Sequence, residues 1–166
     1  MNILDAYDQI NRWIAESSGA PIDIGVEERC SFSRSRLFNE NDLRDFESSS
    51  GVALPHQYRT FLKSVGAAKL FAVGGSGIEV LSPSEIKGFS KKVFYNFGDD
   101  LYPNLLLAVS MPRFGYFGGF LVGEAEIKDY SVFYPDEPPE LWIEEADFVQ
   151  FDRWIVNLVK SKGEEL

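Results

Sequence analysis

The sequence predicts an α+β domain in which a helical hairpin and a closing helix pack on a mainly antiparallel sheet. Three observations carry this. Helical spacing of apolar residues recurs over residues 2–16 and 39–66, short strand-like runs separated by tight turns occupy 70–143, and one strongly amphipathic segment ends the chain. Turns that short leave no room for parallel crossovers, so the strands run antiparallel.

The elements follow in order. Ile3, Tyr7, Ile10 and Ile14 line one stripe of a helix over about 2–16, which Ser17-Ser18-Gly19-Ala20-Pro21 ends. Residues 22–38 mix Arg, Ser and Glu around Cys30 and Phe32 without a clean period and read as an irregular connection holding at most one strand. Asn39 or Asn41 caps a helix carrying Leu43 and Phe46, closed by Ser48-Ser49-Ser50-Gly51. Leu54-Pro55 opens a second helix on which Tyr58, Phe61, Leu62 and Val65 recur until Gly66. Strands follow at 70–73 and 78–81 around a Gly74-Gly75-Ser76-Gly77 turn, then a short helix or helical turn from the capping box Ser82-Pro83-Ser84-Glu85. Residues 87–103 read as a long, partly helical connection. Strands are expected at 105–109, 116–122, 131–134 and 141–143. Asp147 and Gln150 form a capping pair before a last helix with Phe148, Phe151, Ile155, Leu158 and Val159 on one face.

With 166 residues, 45% of them apolar or aromatic, the chain suits one domain with a substantial core. Residues 39–162 form its core and 1–38 an N-terminal extension. Sixteen basic against 26 acidic side chains give a net charge of −10, which repels nucleic acid and anionic membranes unless a basic patch is concentrated locally. No apolar run reaches the roughly 18 to 20 residues of a bilayer crossing. The start lacks a basic segment leading into an apolar one, and Cys30 is the single cysteine, so a reducing cytoplasm is expected.

Catalytic chemistry finds little to build on. His56, the lone histidine, sits at a helix start, where the dipole favours the neutral imidazole, yet a solvated helix-start residue explains it as well. Cys30 pairs with His56 only if the fold brings them together, and a small buried thiol is the simpler reading. No CxxC or HExxH spacing is present, and Asp99-Asp100 and Asp136-Glu137 lack the alternating ligands of a calcium loop. Gly74 to Gly77 is not followed by the Lys-Ser/Thr of a phosphate loop. Neither a catalytic group, a metal nor a cofactor is therefore expected. Phe114, Tyr116, Phe117 and Phe120 interleave with glycines, so alternate rings should fill the core from one sheet face.

Charge placement says more than any of these. Residues 124–166 hold 12 acids and 4 bases, a net of −8, against −2 for everything before them. The acids flank two aromatic residues. Glu124, Glu126, Tyr134, Asp136, Glu137, Glu140, Trp142, Glu144 and Glu145 are the candidate partner-binding residues, with carboxylates steering a basic protein partner and the aromatics anchoring it. A solvated face that keeps the chain soluble is the competing explanation.

The run Phe46-Glu47-Ser48-Ser49-Ser50-Gly51-Val52-Ala53-Leu54-Pro55-His56-Gln57-Tyr58-Arg59-Thr60-Phe61-Leu62-Lys63-Ser64-Val65-Gly66 resembles the signature of the SUKH superfamily: an apolar-Glu pair, a glycine turn, Leu-Pro, then Tyr, a basic residue and Phe-Leu before a glycine. Gly77 to Ile86 is similar to that family's strand entering a short helix, and Ala146 to Phe151 to the start of its last helix. The likeness covers about residues 41–160. His56 stands where an acid is frequent, and Val65-Gly66 where Asn-Gly is common. The resemblance implies a non-enzymatic binding domain. Bacterial members are immunity proteins that neutralise the toxin domain of a polymorphic or contact-dependent system, often a nuclease or another nucleic-acid-targeting enzyme, and eukaryotic relatives regulate cell-wall assembly. In that light Leu54, Pro55, Tyr58, Phe61 and Leu62 are structural, the expected partner is a cognate toxin protein with a basic surface, and an adaptor of the cell-wall regulator type is the alternative.

Overall fold

The computed structural model describes residues 1–122, 141 and 149–165, together with the backbone of 128–133. Helix α1 spans Ile3–Ser17. Its start is fixed by reciprocal hydrogen bonds: the Asn2 side chain accepts from the Asp5 N–H and the Asp5 carboxylate from the Asn2 N–H, both at 3.0 Å. The buried stripe is Ala6, Tyr7, Ile10 and Trp13, with Ile3 and Ile14 at its margins. It is rotated from the expected one because Trp13 stacks on Phe32 at 5.2 Å and meets Phe71 edge-on.

The stretch expected to be irregular contributes an edge strand, β1 (Ser31–Arg36), preceded by a single bridge between Ile22 and Cys30. Buried Ser17 explains how it docks. The Ser17 hydroxyl accepts from the Phe32 N–H at 2.8 Å, and the Gly19 N–H donates to the Phe32 carbonyl at 3.0 Å. Main-chain groups on the free side of β1 are thereby satisfied at Phe32, and Arg34 and Arg36 further discourage pairing with another chain.

The helical hairpin is α2 (Glu40–Ser50) and α3 (His56–Ser64). Asn39 and Asp42 form the capping box at 2.9 Å, and Gly51 closes α2 in the left-handed region at φ 71°. Arg59 on α3 is paired with both Glu40 and Glu47 on α2, and Lys63 reaches Glu40 at 2.9 Å. Tyr58 is fully buried, and its hydroxyl donates to the Leu81 carbonyl. At Gly66, φ is +94° and a Cβ would lie 2.3 Å from the Arg36 carbonyl oxygen, so the motif's last glycine is a steric requirement.

Strands β2 (Ala67–Val73) and β3 (Ser76–Val80) form a hairpin. Its turn is Gly74-Gly75 alone, with φ 59° and 86°, while Ser76 and Gly77 belong to the strand. Then α4 runs over Pro83–Phe97, far longer than the helical turn expected there. Gly88 looks like a break in sequence, but Ile86, Ser90, Val93 and Phe94 bury one face at helical spacing and carry the helix through it. Strands β4 (Leu105–Met111), β5 (Tyr116–Leu121) and β6 (Lys128–Phe133) complete a six-stranded sheet in the order β1-β2-β3-β4-β5-β6, with every neighbouring pair antiparallel. The expected antiparallel α+β architecture is what forms.

Alternation along the strands assigns the two faces. Leu106, Ala108 and Phe120 join the main core, into which α1, α3 and the last helix, α5 (Phe151–Lys160), also pack. Leu105, Leu107 and Leu121 point the other way, onto Val93 and Phe94 of α4. A register shift between Leu107 and Val109 interrupts the β4–β5 ladder, and the buried Ser90 hydroxyl on α4 accepts from the Leu107 N–H at 3.0 Å. The glycine-flanked rings divide between the faces: Phe120 is in the main core, while Phe117 packs against Phe89 of α4 at 5.7 Å.

Two expectations near the C-terminus change. Helix α5 begins at Phe151 with Gln150 at its N-cap, and Gln57 of α3 supplies a cap from a distance, accepting from the Asp152 N–H at 3.0 Å. Asp147 and Phe148 lie outside the described residues. Leu141, expected as the first residue of a strand, is helical, since a three-residue apolar run has no period by which to tell strand from helix. Trp142 and Ile143 lie outside the described residues.

Candidate docking surfaces

Glu124, Glu126, Tyr134, Asp136, Glu137, Glu140, Trp142, Glu144 and Glu145 all fall outside the described residues. Their sequence neighbourhood can be narrowed. The described C-terminal segment, 149–165, holds three acids (Asp152, Glu164, Glu165) and three bases (Arg153, Lys160, Lys162). The whole −8 excess therefore sits in 124–148, where nine acids accompany only Lys128.

The two candidate catalytic residues are placed, and they are not brought to a common site. His56 is exposed at the start of α3. Cys30 is buried in the wall of a cleft of about 410 Å³ whose lining does not include His56. Burial pushes the Cys30 thiol up from its usual range, an effect opposed by Arg113 and reinforced by Glu28, so the sulfur stays protonated and weakly nucleophilic near neutral pH.

That cleft is one surface that sequence reasoning missed. Phe71 and Val73 form its apolar side, Phe114 stands at its mouth 37% exposed, and Arg113 spans it to pair with Glu28 at 2.7 Å. Its shape is held by unusual backbone. Phe71 sits at φ 50° in an irregular part of the β2–β3 pairing, and a Cβ on Gly163 would lie 2.7 Å from the Phe71 ring. Residues from four distant parts of the chain meet here, and no spacing in the sequence announces it.

Other surfaces are simpler. On the α4 side of the sheet a polar row runs through the register Ser33, Lys69, Glu79 and Ser110, with Lys69 and Glu79 paired at 2.8 Å. The outward side of α4 carries Lys87, Lys91, Lys92 and the 88% exposed Tyr95. Those lysines fall in the 87–103 stretch expected to be only partly helical, which hides the face they share. Among the described residues, no group of three or more His, Cys, Asp or Glu is placed to hold a metal ion, and no helix is long and apolar enough to cross a membrane.

These surfaces offer places for a macromolecule to dock. Comparison with known proteins gives the relationship. No family model and no solved structure matches the chain. Over 168 aligned residues, spanning all of both chains, it is 52% identical to the immunity protein RhsIB of Dickeya dadantii (strain 3937). At that identity, over the full length of both proteins, the chain belongs to the family of the immunity protein RhsIB.

Proposed function

We propose that this chain is an immunity protein that binds a cognate toxin domain and blocks it by covering the surface the toxin works with. The observation that carries this reading is the full-length relationship to an immunity protein at 52% identity. The SUKH-like motif supports it, because its residues have structural work in this chain: Tyr58 ties α3 to the end of β3, and Gly66 admits the Arg36 carbonyl.

The finer reading rests on charge. A toxin that cleaves or modifies nucleic acid needs a cationic cleft to hold phosphates. Nine acids within 124–148 would compete for that field, with Trp142 or Tyr134 as the packed anchor and Glu124, Glu126, Asp136, Glu137, Glu140, Glu144 and Glu145 as the surrounding carboxylates. Such a toxin would act on nucleic acid inside the cell, which places the immunity protein in the cytoplasm. No step of the protection requires a bond to be made or broken by this chain.

The test is protection. Cells expressing the toxin domain encoded beside this chain's gene should survive when the chain is co-expressed, and the purified pair should form a complex burying about 1,200–2,000 Å². Survival without complex formation, or death despite full expression, would overturn the proposal.

A further inference from the structure

Resting on the immunity reading, we propose that the outward face of α4 is a second docking surface, one that takes an acidic patch of the toxin. Helical geometry puts Lys91, Gly88 and Tyr95 along the middle of this face and Lys87 and Lys92 on its flanks, opposite the Ile86, Ser90 and Val93 side that packs on the sheet. Its sign is contrary to the molecule's. In a chain of net charge −10, three exposed lysines gather within six residues, and among the described residues neither Lys87 nor Lys92 has an ion-pair partner, while Lys91 reaches Asp100 at 3.4 Å.

Two features of this face are unexplained by the fold. Tyr95 is 88% exposed, although tyrosine is a side chain that interfaces favour as an anchor. Gly88 stands mid-helix, where glycine weakens a helix relative to almost any other residue, yet a Cβ there would meet nothing within 4 Å. Neither packing nor backbone conformation asks for that glycine. A partner main chain approaching between the lysines does, because an absent side chain lets it come close enough for Tyr95 to lie along it.

Charge complementarity selects the occupant. Three lysines without an arginine, flanked by Glu85, Asp99 and Asp100 on a strongly acidic chain, are a poor phosphate-backbone site but suit a few carboxylates on a protein.

The experiment uses the full-length chain and the adjacent toxin domain, measuring affinity by calorimetry and melting temperature for each variant. Lys87→Glu/Lys92→Glu and Tyr95→Ala should each weaken binding at least tenfold with unchanged melting. Gly88→Gln separates docking from folding: it should raise the melting temperature by about 2 °C while weakening binding tenfold or more. Wild-type affinity in all three variants overturns the α4 surface and leaves the immunity reading standing; no binding by the wild-type chain overturns the reading itself. If the variants instead abolish self-association of the chain, or binding to a 20-base-pair DNA duplex, the face serves a second copy or nucleic acid and the proposal is wrong.

Discussion

Single polar atoms inside the core decide how several elements meet. The Tyr58 hydroxyl donates to the Leu81 carbonyl just before the capping box that starts α4, so one bond links α3, β3 and α4. Burial, together with the nearby Glu85 charge, raises the Tyr58 hydroxyl far above its usual range, so it is a donor at neutral pH. Tyr58→Phe keeps the ring and leaves a buried carbonyl unsatisfied, at a loss of about 1–3 kcal/mol, which chemical denaturation would register as a lower midpoint with unchanged slope. Ser90→Ala should cost a similar amount by stranding the Leu107 N–H at the β4 irregularity. The apolar role of Tyr58 was legible from its spacing. Its hydroxyl partner, 23 residues away across the fold, was not, because periodicity reports which face of a helix is buried and says nothing about what that face meets.

At the scale of elements, the helix starts expected at Asn39 and at Ser82-Pro83-Ser84-Glu85 are the ones that form, because their chemistry is complete within four residues. Asn2–Asp5 and Asn39–Asp42 form the reciprocal bonds of a capping box, at α4 the Glu85 carboxylate accepts from the Ser82 N–H at 2.8 Å and from its hydroxyl at 2.7 Å, and each pair starts a helix. Asn39→Ala should therefore lower stability by about 1 kcal/mol, read as a fall in helical melting temperature. Helix α5 failed the same reading because its cap is supplied by Gln57, from α3. Helix α4 outruns the short helix or helical turn expected from its capping box for the complementary reason: tertiary burial of Ile86, Ser90 and Val93 overrides the local penalty of about 1 kcal/mol that Gly88 imposes. The α2–α3 pair also carries a pH dependence. The Lys63 hydrogen bond, with Arg59 adding to it, holds the Glu40 carboxyl below its usual range. A depressed folded-state pKa stabilises above the unfolded pKa, and that contribution disappears as pH falls through the folded value. Glu40→Gln should thus leave a chain whose stability declines less between neutral and acid pH than the wild type does, as a series of denaturation midpoints from pH 7 to pH 3 would show.

Across the whole molecule the sequence displays a charge asymmetry whose surface it cannot draw. Counting residues locates the −8 excess in 124–148, but which carboxylates share a face depends on chain path, and an acidic run without a period does not encode one. The asymmetry nevertheless makes a kinetic claim. If these carboxylates steer a basic toxin, they act over a Debye length of about 10 Å at 0.1 M salt, so they shape the encounter more than the final contact. Reversing Glu137, Glu140, Glu144 and Glu145 to lysine changes the net charge from −10 to about −2, and should slow association with the toxin domain by roughly 10–10³-fold at low salt. The dissociation rate should change far less, unless one of the four is buried in the complex. Raising ionic strength separates steering from misfolding. Screening should bring the wild-type and reversed proteins' association rates together by about 0.5 M salt, whereas a misfolded variant would stay slow at every concentration. A wild-type rate that does not depend on salt would remove steering from the mechanism and leave shape, with the packed aromatic anchor, to account for recognition.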